Sequence, residues 1–216
     1  MRTTIKSLEQ TIGTLSAPSK MPCFSFSIPA SECKVGSRLR KIEKSTCAKC
    51  YAHKGFYGFP STRKSLANRF DKLNTCDFDL WVASMTQLIL KKEKSGFFRW
   101  HDSGDVQTVE HLERIVQVAK NLPQISFWIP TREFKICKEY IDKNGKFPEN
   151  LTVRLSSWFR ESAPSKKFAD SVGAVSSTVG YKESAHECPA GSQGNKCLDC
   201  RACWDHKVKN VSYGKH

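Results

Sequence analysis

Apolar and polar residues recur along the chain with two different periods, one typical of strands and one typical of helices. Short apolar or alternating runs predict five strands, at residues 24–28, 97–101, 125–129, 151–155 and 174–179. Helical patterns fill the intervals, at residues 61–74, 77–94, 109–120, 133–142 and 165–171. Strands that alternate with helices indicate βαβ units and a parallel sheet. The predicted fold class is therefore α/β, as a partial or complete β/α barrel, with an open doubly wound sheet as the alternative.

The chain length is compatible with one hydrophobic core, so we expect a single domain over residues 1–216. Within it we distinguish a Cys-bearing basic loop region (20–60), a β/α core (95–182) and a Cys-rich metal-binding tail (183–216). No stretch approaches the roughly 18 apolar residues of a membrane helix, so we expect no membrane partner. The N-terminus lacks the apolar core of a secretory signal, which favours a reducing cytoplasm.

Ten cysteines in a reducing compartment favour metal binding or catalysis over disulfides. Four of them crowd near the C-terminus, as Cys188-Pro189 followed by Cys197-x2-Cys200-x2-Cys203. Three thiolates at two-residue gaps can wrap a compact cluster, and ferredoxin loops combine this run with a more remote Cys-Pro pair. The spacing therefore predicts one [4Fe–4S] cluster on these four cysteines.

Zinc is the main alternative to iron and sulfur. A four-cysteine site of the zinc-ribbon type could combine Cys47-x2-Cys50 with Cys197-x2-Cys200. The third close cysteine, Cys203, favours the iron–sulfur interpretation. Two further cysteines stand alone in helical patterns and are expected to be core thiols, Cys76 and Cys137.

A second cysteine group, Cys33, Cys47 and Cys50, follows the first predicted strand. Three cysteines in this position resemble those of radical S-adenosylmethionine enzymes, which would add S-adenosylmethionine as a cosubstrate. The 13 residues between Cys33 and Cys47 depart from the tighter spacing of those enzymes. These three cysteines could hold a second cluster, contribute to a single one, or bind no metal. Cys23 is a further candidate without a partner at a diagnostic gap.

Polar residues follow several strands at the point where β/α folds place their chemistry. We predict a catalytic group of His101, Asp102, Asp105 and Arg132. Two residues at the end of the next strand are predicted to bind a cofactor, Arg154 and Ser156. Such side chains suit a phosphate, ribose or amino-carboxylate group. The alternative is that Ser103, Asp105 and Thr131 only cap helices. The sequence contains no Ser-His-Asp order and no P-loop that would identify a reaction, so it stays open whether the chain is an enzyme.

The chain is strongly basic, with 35 Lys and Arg against 21 Asp and Glu and a net charge of +14. Such an excess suggests a polyanionic partner, nucleic acid first. A basic surface without such a partner is the equally weighted alternative.

Several long motifs from about residue 20 to the C-terminus are similar to those of the phage gene product 88 proteins. They are Ser27-Ile28-Pro29-Ala30, Cys47-x2-Cys50-Tyr51-Ala52, Phe98 through Asp105, Phe127 through Glu133, and Gly194 through Trp204. The resemblance implies a bacteriophage or prophage origin and a role in the cytoplasm of the infected bacterium, and it supplies no reaction. We therefore rank three hypotheses. The first is a phage iron–sulfur protein with a redox or radical role, the second a zinc-stabilised nucleic-acid-binding protein, and the third a radical S-adenosylmethionine enzyme.

Overall fold

The computed structural model describes residues 3–183 and 185–214, which form one seven-stranded sheet covered by helices. The strands are β1 (Ser25–Phe26), β2 (Phe97–Trp100), β3 (Ser126–Thr131), β4 (Leu151–Ser156), β5 (Val175–Val179), β6 (His186–Glu187) and β7 (Asn210–Tyr213). The α-helices are α1 (Ile5–Ile12), α2 (Lys34–Leu39), α3 (Pro60–Thr75), α4 (Phe78–Lys92), α5 (Val109–Asn121), α6 (Phe134–Asn144) and α7 (Lys166–Ser171). The predicted domain 1–216 and tail 183–216 also contain positions 1, 2, 184, 215 and 216, which lie outside the described residues.

The strand order is β1-β2-β3-β4-β5-β7-β6, and every pairing between these strands is parallel. The first five strands lie side by side in chain order, as in a β/α barrel, whereas a doubly wound sheet reverses direction at a switch point. The prediction of an α/β fold with a barrel-like parallel sheet is confirmed. Strands β1 and β6 lie at the two ends of this order and do not pair with each other, so we describe the sheet as a partial barrel.

The five predicted strands and five predicted helices all form, with ends displaced by at most two residues. Four elements were not predicted, namely α1, α2, β6 and β7. The last two are short and lie on either side of the C-terminal cysteines, where the sequence alternates too briefly to indicate a strand.

One face of the sheet packs against the helices and forms the main core. Phe127 and Ile129 of β3 point into this core, together with Trp81 of α4 and Leu112 of α5. Helices α1, α3, α4, α5, α6 and α7 all contribute buried residues to it. Because consecutive crossover helices lie on the same side, the opposite face of the sheet is left for other segments to cover.

That opposite face carries a second, smaller core. Trp128 points there because side chains alternate between the two faces of a strand, and it packs with Cys23, Cys203, Trp204 and Val211. The indole rings of Trp128 and Trp204 meet edge to face, with centroids 5.1 Å apart. The C-terminal cysteine segment therefore covers the inner face of the partial barrel.

Candidate metal centre and polar site

The C-terminal cysteine segment is held to the sheet by backbone hydrogen bonds at both ends. The Cys188 N–H donates to the Ser212 carbonyl of β7 over 2.8 Å. The Cys197 N–H donates to the Lys20 carbonyl over 2.9 Å, which ties the segment to the chain before β1. Between them, Gly194 and Asn195 both have positive φ, at 61° and 60°, so the chain turns sharply there. The segment thus spans from β7 to the start of β1.

The side chain of Arg154 holds the last part of this segment through hydrogen bonds. Its guanidinium is fully buried on β4 and donates five hydrogen bonds, all to backbone carbonyls. The acceptors are the carbonyls of Ser176, Ala202, Cys203, Asp205 and Val208, at 2.6–3.0 Å. A guanidinium has five N–H donors, and here each one is engaged. These contacts give Arg154 a role in positioning the cysteine segment, whereas the sequence predicted that it binds a cofactor.

The four C-terminal thiols share one neighbourhood. Burial raises the pKa of Cys203 to about 11. Burial also raises the pKa of Cys197, and the nearby thiols of Cys188 and Cys200 add to that rise. The Cys203 Sγ lies 3.3 Å from the hydroxyl of Tyr213. Cys188, Cys197, Cys200 and Cys203 are therefore near enough for their charges to interact.

A fifth thiol and two guanidinium groups belong to the same neighbourhood. Burial raises the pKa of Cys23 to about 12, and its thiol is close enough to Cys197 for their charges to interact. Arg99 and Arg201 act in the opposite direction and lower the pKa of both thiols. The Arg99 guanidinium lies over the ring of Trp128, with its Cζ 4.4 Å from the ring centroid. The sequence did not indicate Arg99, because a cation inside a strand looks like an ordinary surface residue until its face is known.

Within residues 3–183 and 185–214, no three or more His, Cys, Asp or Glu side chains are arranged to hold a single metal ion. Tetrahedral zinc with Zn–S bonds of about 2.3 Å needs its sulfurs only ~4 Å apart. The predicted zinc site of Cys47 and Cys50 with Cys197 and Cys200 stays a prediction. The first pair lies with Cys33, whereas Cys197 lies with Cys188 and Cys23.

The N-terminal cysteines form their own group. The Sγ atoms of Cys33 and Cys47 lie 3.6 and 3.7 Å from the point where a Cβ on Gly36 would stand. Burial raises the pKa of both thiols, and each also interacts with the thiol of Cys50. The Arg132 guanidinium lowers the pKa of both. This group therefore gathers beside Arg132, separately from the C-terminal thiols.

Asp105 joins the ends of β2 and β3 next to these cysteines. Its carboxylate accepts hydrogen bonds from the Thr131 hydroxyl at 2.6 Å and from the Arg132 N–H at 2.9 Å. Burial raises the pKa of Asp105 to about 6. The Arg132 Nε donates to the Thr46 hydroxyl over 3.1 Å, which secures the cysteine loop. Asp105 and Arg132 thus line the N-terminal cysteine group.

Asp102 has a different environment on the inner face. Its carboxylate accepts hydrogen bonds from the hydroxyls of Ser25, Ser27 and Tyr57. The Tyr51 hydroxyl donates to its backbone carbonyl over 2.6 Å. These bonds connect the first two strands to the loop after Cys50.

His101 is buried in an unusual conformation at the end of β2. Its φ is 55°, in the left-handed region that non-glycine residues rarely adopt. Both of its ring nitrogens lack a hydrogen-bond partner in the described structure, and its ring meets that of His111 edge to face at 5.2 Å. Burial lowers the pKa of His101 to about 4. The predicted catalytic residues therefore have different neighbours. His101 and Asp102 are close enough for their charges to interact, whereas Asp105 and Arg132 lie beside the N-terminal cysteines.

Helix capping does not account for these polar residues. Helix α5 is capped by Thr108, whose hydroxyl accepts the His111 N–H over 3.0 Å, and not by Ser103 or Asp105. The Thr131 hydroxyl accepts the N–H of Glu133, the residue just before α6. At the end of β4, the Ser156 hydroxyl pairs with that of Ser177 over 3.1 Å. Its predicted role in cofactor binding stays a prediction.

Comparisons with known proteins identify a family and nothing finer. No curated protein and no solved structure matches the chain, so the similarity to radical S-adenosylmethionine enzymes also stays a prediction. None of the helices formed by residues 3–183 and 185–214 combines the length and hydropathy that a membrane span requires. The family model described as gene product 88 matches residues 2–206. Since that match covers nearly the whole sequence, the chain belongs to the phage gene product 88 family.

Proposed function

We propose that this phage protein is an iron–sulfur protein, in which Cys188, Cys197, Cys200 and Cys203 hold one [4Fe–4S] cluster. The proposal rests on one observation. Four thiols that the sequence spaces like cluster ligands share one partly buried neighbourhood on the inner face of the sheet.

The donor set suits a cluster better than a single ion. The run Cys197-x2-Cys200-x2-Cys203 with a Cys-Pro pair is the ligand pattern of ferredoxin-type clusters, whereas zinc ribbons use two separate C-x2-C pairs. Four thiolates also concentrate negative charge, which the guanidinium groups of Arg99 and Arg201 offset. Arg154 holds the carbonyls of the segment in place, so the thiol of Cys203 is positioned before the cluster binds.

A bound cluster would supply one-electron redox chemistry, and the chain would tune it. Hydrogen bonds to the sulfurs and the polarity of the surroundings set the reduction potential of such a centre. Here Tyr213 offers its hydroxyl to the Cys203 sulfur, and the aromatic rings of Trp128 and Trp204 exclude water from one side. We place this activity in the cytoplasm of the infected bacterium, where thiolates stay reduced.

The test is metal analysis of protein purified without oxygen. We expect about four irons and four sulfides per chain, with a brown colour and broad visible absorption. Cys197→Ser and Cys203→Ser should lose most of the iron, whereas Cys137→Ser, in the main core, should keep it. A colourless protein without iron, or one that carries a single zinc ion, would overturn the proposal.

The N-terminal group supports a second candidate function. Cys33, Cys47 and Cys50 gather beside Arg132 at the ends of two strands, and three thiolates would leave one iron of a second cluster open to a small molecule. Two clusters predict about eight irons per chain, and Cys47→Ser should then lose half of them. A radical S-adenosylmethionine enzyme would in addition bind and cleave S-adenosylmethionine when reduced. If the reduced protein neither binds nor cleaves S-adenosylmethionine, that candidate is excluded, and the proposal of a C-terminal cluster is not affected.

A further inference from the structure

A basic segment, residues 34–64, covers the carboxyl ends of the central strands. Its Val35 N–H donates to the Glu133 carboxylate over 2.8 Å. The Thr46 N–H donates to the Trp158 carbonyl over 2.9 Å, and the Arg160 N–H donates to the Lys44 carbonyl over 3.2 Å. The segment and residues 158–160 therefore form one continuous surface.

The basic segment holds nine Lys and Arg residues and a single acidic residue, Glu43. All nine lie at exposed positions, and Lys34 in addition donates a hydrogen bond to the Gln107 carbonyl. The six ion pairs of the described structure all lie elsewhere in the chain. With nine cations against one carboxylate, this segment carries a strong positive charge.

All five exposed aromatic side chains of the described residues lie on the same surface. They are Tyr51, Phe56, Phe59, Trp158 and Phe159, which are 52%, 77%, 53%, 41% and 40% exposed. The rings of Phe56 and Phe59 are in contact, with centroids 5.4 Å apart. Exposed apolar side chains that cluster on one surface mark an interaction site, and the positive charge around these rings points to an anionic partner.

From this coincidence we propose that the basic segment, with Trp158 and Phe159, binds single-stranded nucleic acid. Phosphates pair with exposed Lys and Arg, and unpaired bases stack on aromatic rings. A duplex offers no free base faces for such stacking. An anionic membrane is less suited, because insertion usually uses a long amphipathic helix with an exposed apolar face. Helix α2 has only six residues, and the longer α3, which begins in this segment, buries Leu66 and Leu73 against the protein.

The test is fluorescence anisotropy with labelled single strands of about 20 nucleotides, as DNA and as RNA, from ~50 to ~200 mM salt. Affinity should fall steeply with salt, with a slope of about −0.7 per phosphate contact. Replacing Arg38, Lys41 and Lys44 together by Gln should reduce the slope by roughly 2. The matched control replaces Lys135, Lys138 and Lys143 by Gln, which removes the same charge from the ion-paired surface of α6 and should leave the slope unchanged.

The aromatic contribution is tested separately. Phe56→Ala should weaken binding about tenfold, since stacking on one ring contributes about 1–3 kcal/mol and 1.4 kcal/mol is a factor of ten. Leu80→Ala, an exposed apolar residue on α4, is the control and should have no effect. Comparing DNA with RNA tells which nucleic acid is the better ligand.

Three outcomes would overturn the proposal: binding that salt does not weaken, equal losses in the two charge variants, or tighter binding to duplex than to single strands. Binding only to phosphatidylserine vesicles would overturn it too, and would assign the surface to a membrane. Iron is measured in every variant, so a loss of nucleic-acid binding is not confused with a loss of the proposed cluster.

Discussion

The Nε of Arg154 donates a hydrogen bond to the carbonyl oxygen of Cys203 over 2.9 Å. This bond joins the middle of the sheet to the last cysteine of the proposed cluster site. Four further bonds from the same guanidinium hold the carbonyls on either side of that cysteine and on β5. A buried cation with every donor engaged in this way makes the inner face and the cysteine segment one unit.

Arg154→Lys should loosen the cysteine segment. An ammonium has three donors in place of five, so at least two of these hydrogen bonds are lost, and a hydrogen bond that involves a charged group contributes about 1.5–3 kcal/mol. We expect the free energy of unfolding to fall by about 3 kcal/mol or more, with faster hydrogen exchange in residues 200–208. Arg63→Lys, on the exposed surface of α3, should change neither quantity. Equal exchange rates in Arg154→Lys and the wild type would contradict this role.

Gly104→Ala tests the close contact between β1 and the loop after β2. Gly104 has a φ of 79°, and an added Cβ would lie 2.3 Å from Ile28 Cγ1 and 2.8 Å from the Ile28 carbonyl oxygen. Gly96 has the same φ of 79° but open space around its Cα. We expect Gly96→Ala to cost about 1 kcal/mol from the left-handed backbone alone, and Gly104→Ala about 2–3 kcal/mol more from overpacking. Denaturant unfolding of the two variants measures the difference, and equal costs would refute the close contact.

The buried His101 should make the fold sensitive to acid. Its pKa is lowered to about 4 by burial, against an ordinary value of 6.5, so the unfolded chain binds this proton first as the pH falls. The stability contributed by neutral His101 is complete above pH 6.5 and is lost as the pH falls toward 4, by up to about 3 kcal/mol. His101→Asn, which tolerates the positive φ, should flatten this part of the stability profile.

Asp105 should oppose that effect. Its pKa is raised to about 6 by burial, so the folded chain binds this proton first and gains stability as the pH falls below 6. Asp105→Asn should therefore steepen the acid loss that His101 causes. The measurement is the free energy of unfolding between pH 7 and pH 4.5, and parallel profiles for both variants and the wild type would rule out these assignments.

Tyr213→Phe tests the proposed cluster through its potential. The Tyr213 hydroxyl lies 3.3 Å from the Cys203 sulfur, and a hydrogen bond to a cluster sulfur stabilises the reduced form. Removing it should lower the midpoint potential by about 20–60 mV, the equivalent of one hydrogen bond of about 0.5–1.5 kcal/mol. Iron content should stay at the wild-type level. Tyr181→Phe is the control, and an unchanged potential in Tyr213→Phe would place the cluster elsewhere.

The regular elements were predictable because their signal is local. The alternation in Ser126-Phe127-Trp128-Ile129 and the helical spacing in α5 each reflect one buried face, which the residues themselves display. The elements β6 and β7 were missed because their pairing partners come from distant parts of the chain, such as Ser177 for Val211. A strand of two residues such as β6 has no pattern of its own.

The candidate sites were predictable only in part, for a related reason. Spacing placed Cys188, Cys197, Cys200 and Cys203 in one group, since short gaps alone keep such thiols close. Spacing could not show whether the pair Cys47 and Cys50 lies near the pair Cys197 and Cys200, because both pairs have the same two-residue gap and the gap says nothing about distant contacts. It also gave Arg154 and Asp105 the appearance of free functional groups, although the fold engages both in hydrogen bonds.

By itself the amino-acid sequence determined the α/β class, the order of the main elements, the cysteine groups and the strongly basic character. These features depend on periodicity, short gaps and composition, which are properties of residues close together in the sequence. Only the tertiary structure decided that the C-terminal cysteines cover the inner face of the sheet, with Arg99 and Arg154 beneath them, while the basic segment and the exposed aromatic rings share another surface. Those relationships join residues that are far apart in the chain, and the packing of side chains around one parallel sheet brings them together.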